Sequence, residues 1–204
     1  MPLKDTYREW KRYYEISEVG PITRRYFVMN AFDGALTMLG VVIGAYIAGI
    51  LKPIPILTAA ISGSIAMGIS GISGAYMTEK AERTKKLKEL ERAMVTNLRN
   101  GLHHKSYRFA TIFAALVDGI SPALAAMVVV SPFFLNFAGI IETEIAFFGT
   151  IITTLIILTV LGIYLAKISE ESMIRYGIQM LVVGMLTAFL CVVTAILLGG
   201  SVQV

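Results

Sequence analysis

Two aspartates stand inside long apolar runs, and each is followed by glycine: Asp33-Gly34 and Asp118-Gly119. An ionised carboxylate facing hydrocarbon costs several kcal/mol at the least, so each must look into a packed interior or a watered path. Asp33 lies about two helical turns inside the first apolar run, where Met29, Asn30, Thr37 and Gly40 share its face at 3.6 residues per turn. That stripe offers a cation or a proton one charged group with polar neighbours. Asp118 sits in Ala115-Leu-Val-Asp118-Gly119-Ile-Ser121-Pro122. Proline has no N–H for the carbonyl four residues back, which is that of Asp118, so one residue presents a carboxylate and a freed backbone oxygen. Paired oxygens suit a hard or borderline cation, and interrupted helices near the bilayer midplane form ion sites in transporters. The competing structural reading is a proline kink satisfied by Ser121 or by water, with Asp118 paired to a neighbouring helix.

A softer ligand stands in the second apolar run. Met67 shares a face with Gly63, Ser64, Ser70, Gly71 and Gly74 in a stretch of small residues that lets helices approach closely. A thioether beside carboxylates favours a transition ion over Mg(II) or Ca(II), although methionine is also a common gap-filler in membrane helices. Further along, Glu79, Glu82 and Glu89 fall on one face and could collect a cation. Glu79 with Arg83 and Glu82 with Lys86 are equally good i, i+4 ion pairs of a solvated helix. His103 and His104 are adjacent, so they do not share a helical face. Glu142 and Glu144 read as helix-start residues that favour the dipole of the helix they open.

The elements that must position these residues are membrane helices. The 204 residues are 56% hydrophobic with a mean hydropathy of +0.72, and only 16% are charged against roughly 25% in soluble domains. That excludes an ordinary globular enzyme. Apolar runs at 27–51, 54–77, 108–135, 145–166 and 177–199 are each long enough to span. The expected fold is therefore an all-α integral membrane protein of five transmembrane helices. Every Lys and Arg except Lys52 lies before the first run, between the second and third, or between the fourth and fifth. The positive-inside rule then puts the N-terminus in the cytosol and the C-terminus outside. The basic residues report orientation, and a nucleic-acid partner is not expected. Cys191 lies alone in an apolar run, and no cleavable signal peptide is visible in the polar, aromatic N-terminal stretch.

Residues 1–25 read as an interfacial amphipathic helix, with Tyr7, Trp10 and Tyr14 on one face and Gly20-Pro21 at its end. Residues 26–204 form the five-helix domain. No Gly or Pro occurs between Tyr76 and Asn100, so the second helix is expected to extend into the cytosol, within a helical segment at 78–106. Leu87, Leu90, Met94 and Leu98 make an apolar stripe along it that suits a partner helix or a second subunit.

The run Phe32-Asp33-Gly34-Ala35-Leu36-Thr37, the small-residue second helix with Met67-Gly68, and Gly74-Ala75-Tyr76-Met77-Thr78-Glu79-Lys80-Ala81-Glu82-Arg83 resemble the vacuolar iron transporter family. Leu165-Ala-Lys167-Ile-Ser169, Arg175-Tyr-Gly177 and Met180-Leu-Val-Val-Gly184 resemble that family's last two helices and the turn between them. The resemblance implies a homodimer that carries Fe(II), and in some members Mn(II), out of the cytosol against inward proton movement. It implies no tightly bound cofactor and no enzymatic activity. By resemblance, Asp33 matches the acidic transport residue of the first helix, Met67 the second-helix methionine, and Glu79 and Glu82 the metal-collecting glutamates. The insertion between the second and third helices is shorter and richer in lysine than the family's glutamate-rich region, and Asp118 lies outside the family pattern as a further ligand or proton carrier. The expected location is the cell membrane of a prokaryote, and the expected partners are the lipid bilayer, a second copy, divalent metal ions and protons. Two other classes stand beside this reading: an intramembrane aspartyl hydrolase using Asp33 and Asp118, which needs the two carboxylates about 3 Å apart, and a non-transporting assembly protein whose small-residue faces only dimerise.

Overall fold

The computed structural model describes residues 2–50, 52–98 and 101–199, and within them the side chains from Tyr7 onward. Seven helices follow one another: α1 (Pro2–Ser17), α2 (Val19–Ile47), α3 (Pro53–Met94), α4 (Leu102–Val129), α5 (Ser131–Phe137), α6 (Thr143–Ser169) and α7 (Met173–Leu197). Among the described residues all regular structure is helical. Five of these helices, α2, α3, α4, α6 and α7, are long and apolar enough to cross a membrane, so the protein is a multi-pass, all-α membrane protein as its apolar runs require. At 1.5 Å per residue, the 42 residues of α3 reach about 60 Å, roughly twice the hydrocarbon thickness. The polar half of α3, with eight Lys, Arg and Glu residues between Glu79 and Glu89, therefore projects beyond the bilayer.

Three local features depart from the sequence expectation. The break after the first helix falls at Glu18, whose φ of 50° is left-handed, and not at Gly20-Pro21. Gly20 and Pro21 instead lie in the first turn of α2, where backbone N–H groups have no intrahelical acceptor and proline is tolerated. The extension of α3 stops at Met94, before Asn100, with Val95 left-handed at φ 51°. The third apolar run is divided, because α4 ends at Val129 and Pro132 opens the short α5 in its first turn.

The chain packs as two units, one formed by residues 1–27 and 68–121, the other by 28–67 and 122–204. In the first, α1 is fastened through its aromatic face. Trp10 and Tyr13 each lie 6.0 Å from Phe109, and Tyr14 meets Phe113 edge-on at 6.0 Å, while Phe109 stacks on Phe113. Tyr7, Trp10 and Tyr14 all remain exposed. The amphipathic face expected to lie on lipid is thus used in part to hold α4.

The second unit contains the larger apolar core. Ala35, Met38, Leu39, Val42 and Ile43 of α2 bury against Ile56, Leu57 and Ala60 of α3, with Ala126, Val129, Phe133, Phe147 and Leu158 completing it. Tyr46 stacks on Phe147 with ring centroids 4.0 Å apart. Thr150 and Thr154 are fully buried, and each satisfies its hydroxyl on the carbonyl one turn back, at 3.0 and 2.8 Å. Helix α7 turns most of its side chains outward, as a helix against lipid does.

Candidate functional site

The second unit carries Asp33 and Met67. Along α2, Val28, Ala31, Ala35, Met38 and Leu39 are buried, while Met29, Asp33 and Thr37 are exposed. Of the polar stripe read from the sequence, Met29, Asp33 and Thr37 are thus left exposed, while Asn30 and Gly40 are half-buried. Gly34, the next residue, is buried for a steric reason. A Cβ there would overlap the carbonyl oxygen of Pro122 and come within 2.7 Å of its Cα, so glycine lets α2 press onto the backbone of α4. Met67 is half-buried at the edge of the core cluster that contains Met38. One turn before it, Ser64 is buried with its hydroxyl unpartnered among the described residues. In the same unit Ala59, Ser62 and Ala66 of α3 are exposed, small residues at i, i+3 and i, i+4 spacing.

The first unit carries Asp118, Glu79 and Glu82. Glu79 is buried and both its oxygens are engaged. Arg83 donates from Nε to Oε2 at 3.0 Å, and the Tyr26 hydroxyl donates to Oε1 at 3.0 Å. Arg83, equally buried, also donates from Nη1 to the carbonyl of Ser17 at 3.3 Å, which ties α3 to the end of α1. Its guanidinium lies 5.9 Å from the centre of the Tyr107 ring. Glu82 differs in every respect, being exposed and paired with exposed Lys86 at 3.7 Å. Asp118 is half-buried on α4 and belongs with Tyr26 to one electrostatic neighbourhood.

Asp118 owes its position to a glycine crossing. A Cβ on Gly71 would stand 2.7 Å from the Cα of Gly119 and 3.1 Å from Oδ2 of Asp118. A Cβ on Gly119 would in turn strike the carbonyl of Gly68 and approach the Ile72 nitrogen at 2.8 Å. The carboxylate is thereby brought against the backbone of α3. Pro122 stays within α4, and Ser121 donates its hydroxyl to Val117, not to the carbonyl of Asp118.

The structure thus groups Glu79, Arg83, Tyr26 and Asp118 in one unit, and Asp33 and Met67 in the other. Among the described residues no three His, Cys, Asp or Glu side chains converge to hold a metal ion. His103 is exposed and meets Tyr107 edge-on at 6.5 Å. Glu142 stands at the N-cap of α6 and Glu144 in its first turn, the helix-start role their positions suggested. Sequence reasoning missed Tyr26. It stands 53 residues from Glu79, and no periodicity connects two helices that far apart.

Two comparisons bear on what the arrangement is for. The sequence profile of the VIT family matches residues 84–196. An uncharacterized protein of Methanocaldococcus jannaschii is 35% identical over 170 residues, which cover 82% of this chain and 85% of that one.

Proposed function

The chain belongs to the vacuolar iron transporter family, whose members are membrane metal-ion transporters, and from that premise we propose that it moves Fe(II), and also Mn(II), out of the cytosol by proton antiport. The observation that carries this reading is the exposed Asp33 stripe on a helix that crosses the membrane. A carboxylate in that position requires cover by protein or water, and Asp33 is exposed with Met29 and Thr37 beside it. A second copy supplies the cover. The exposed small residues Ala59, Ser62 and Ala66, in the same unit as Asp33, permit the close backbone approach that such a dimer needs.

In the proposed dimer, the two Asp33 carboxylates and the Met67 thioethers line the path of the ion near the subunit interface. Oxygen and sulfur donors together favour a borderline transition ion over Mg(II) or Ca(II). A proton and a metal ion exclude each other from one carboxylate, which couples their opposite movements. Asp118, whose charge acts on Tyr26, serves as a proton carrier in this scheme. Glu82, free of the buried network, is the glutamate of α3 best placed to meet a cation from the cytosol. The orientation follows the basic residues, and the membrane is the cell membrane of a prokaryote, in line with the source of the similar chain. The transporter reading is preferred to an aspartyl hydrolase because the family carries ions.

Flux into proteoliposomes loaded with a metal-sensitive dye tests the proposal, using Fe(II), Mn(II), Co(II) and Zn(II) with and without a pH gradient. Uptake of Fe(II) and Mn(II) that accelerates with the gradient is expected. Equal leakage in protein-free vesicles would remove the transport reading.

A further inference from the structure

A cleft of about 560 Å³ opens between the projecting half of α3 and the start of α4, inside the first unit. Its walls carry four cations, Lys80, Arg83, Lys88 and Arg108, against a single acid, Glu91. That acid is already in use, since its Oε1 accepts the backbone N–H of Leu98 at 3.0 Å. Glu79 neutralises part of Arg83 but does not line the cleft. The local excess of positive charge repels a divalent cation and attracts an anion.

Arg83 supplies the second, independent observation. The residue is 6% exposed, and its Nη2 is buried without an acceptor among the described residues. Buried donors are nearly always satisfied, so this N–H group, on a residue that lines the cleft, calls for an acceptor that the described residues do not contain. A guanidinium presents its donors as a planar fork that matches phosphate oxygens, and lysine ammoniums add point charges around such a group. Lys80 is held near by the ring of Tyr76, with its Nζ 5.6 Å from the ring centre.

We propose that the cleft between α3 and α4 binds a phosphate-bearing anion through Arg83, with Lys80, Lys88 and Arg108 around it. The chemistry is shared by a soluble phosphate compound and by the headgroup of an anionic lipid, since basic pockets at a membrane surface take such headgroups. The site shares no residue with the Asp33 stripe and does not depend on the identity of the transported ion. It assigns a purpose to the lysine-rich segment that metal collection leaves unused.

The test uses the full chain and a Lys80→Gln/Arg108→Gln double variant, both residues being exposed and outside the Glu79–Arg83 pair. In one arm, delipidated protein in detergent is titrated calorimetrically with inorganic phosphate and pyrophosphate at low salt. In the other, protein from nanodiscs of phosphatidylglycerol or phosphatidylcholine is released into a mass spectrometer and its retained lipids are counted. Pyrophosphate affinity at least tenfold weaker in the variant assigns a soluble phosphate. Retained phosphatidylglycerol that the variant loses, without binding in the first arm, assigns the lipid. Absence of binding in both arms, or binding the variant does not reduce, overturns the proposal, and equal affinity for a polyglutamate peptide overturns the choice of phosphate.

Discussion

Glu79 and Asp118 in the first unit and Asp33 in the second are treated in opposite ways. In the first, Glu79 accepts from Arg83 and Tyr26, and Asp118 lies against the glycine crossing of α3 and α4. In the second, Asp33 stands exposed on α2. The two Asp-Gly pairs look alike in sequence, and the glycine does the same job in each by admitting a neighbouring backbone. What differs is the carboxylate beside it. One is packed against its own chain, while the other is exposed, so an acid inside an apolar run does not by itself tell whether its own chain covers it.

Substitutions can break or sharpen this contrast. The largest effect is expected from Asp33→Ala, which should reduce metal flux in proteoliposomes to the protein-free background while leaving the melting temperature unchanged, because the side chain is exposed. Wild-type flux in that variant would remove Asp33 from the mechanism. Next comes Glu79→Gln, which leaves the buried Arg83 without its carboxylate and should cost about 3–5 kcal/mol in denaturation followed by circular dichroism. Gly34→Ala and Gly119→Ala force a methyl group against backbone that has no rotamer to move, and each should lose about 1–3 kcal/mol in the same assay. Gly44→Ala, with open space around the new methyl, should be neutral or stabilising by up to about 1 kcal/mol. The smallest change is expected for Glu82→Gln, whose exposed pair with Lys86 contributes under about 1 kcal/mol, so its stability should match the wild type.

Much of the candidate site could be read from the chain because it depends on spacing along one helix. The outward stripe of Met29, Asp33 and Thr37 and the pairs Glu79–Arg83 and Glu82–Lys86 all follow from 3.6 residues per turn. Spacing does not reveal that one of those pairs is buried and the other exposed. It also gives no warning of Tyr26, whose hydroxyl reaches Glu79 from another helix.

The sequence by itself determined five membrane-spanning helices and the projection of α3, since the length of an apolar run and the bilayer thickness are both local quantities. It also located each acid on its helix. Only the tertiary structure decided that the break before α2 falls at Glu18, that Pro132 starts a separate short helix, and that Gly34 and Gly119 are contact points between backbones. These depend on which neighbour arrives at a given helix face, and on whether a side chain there would leave it room.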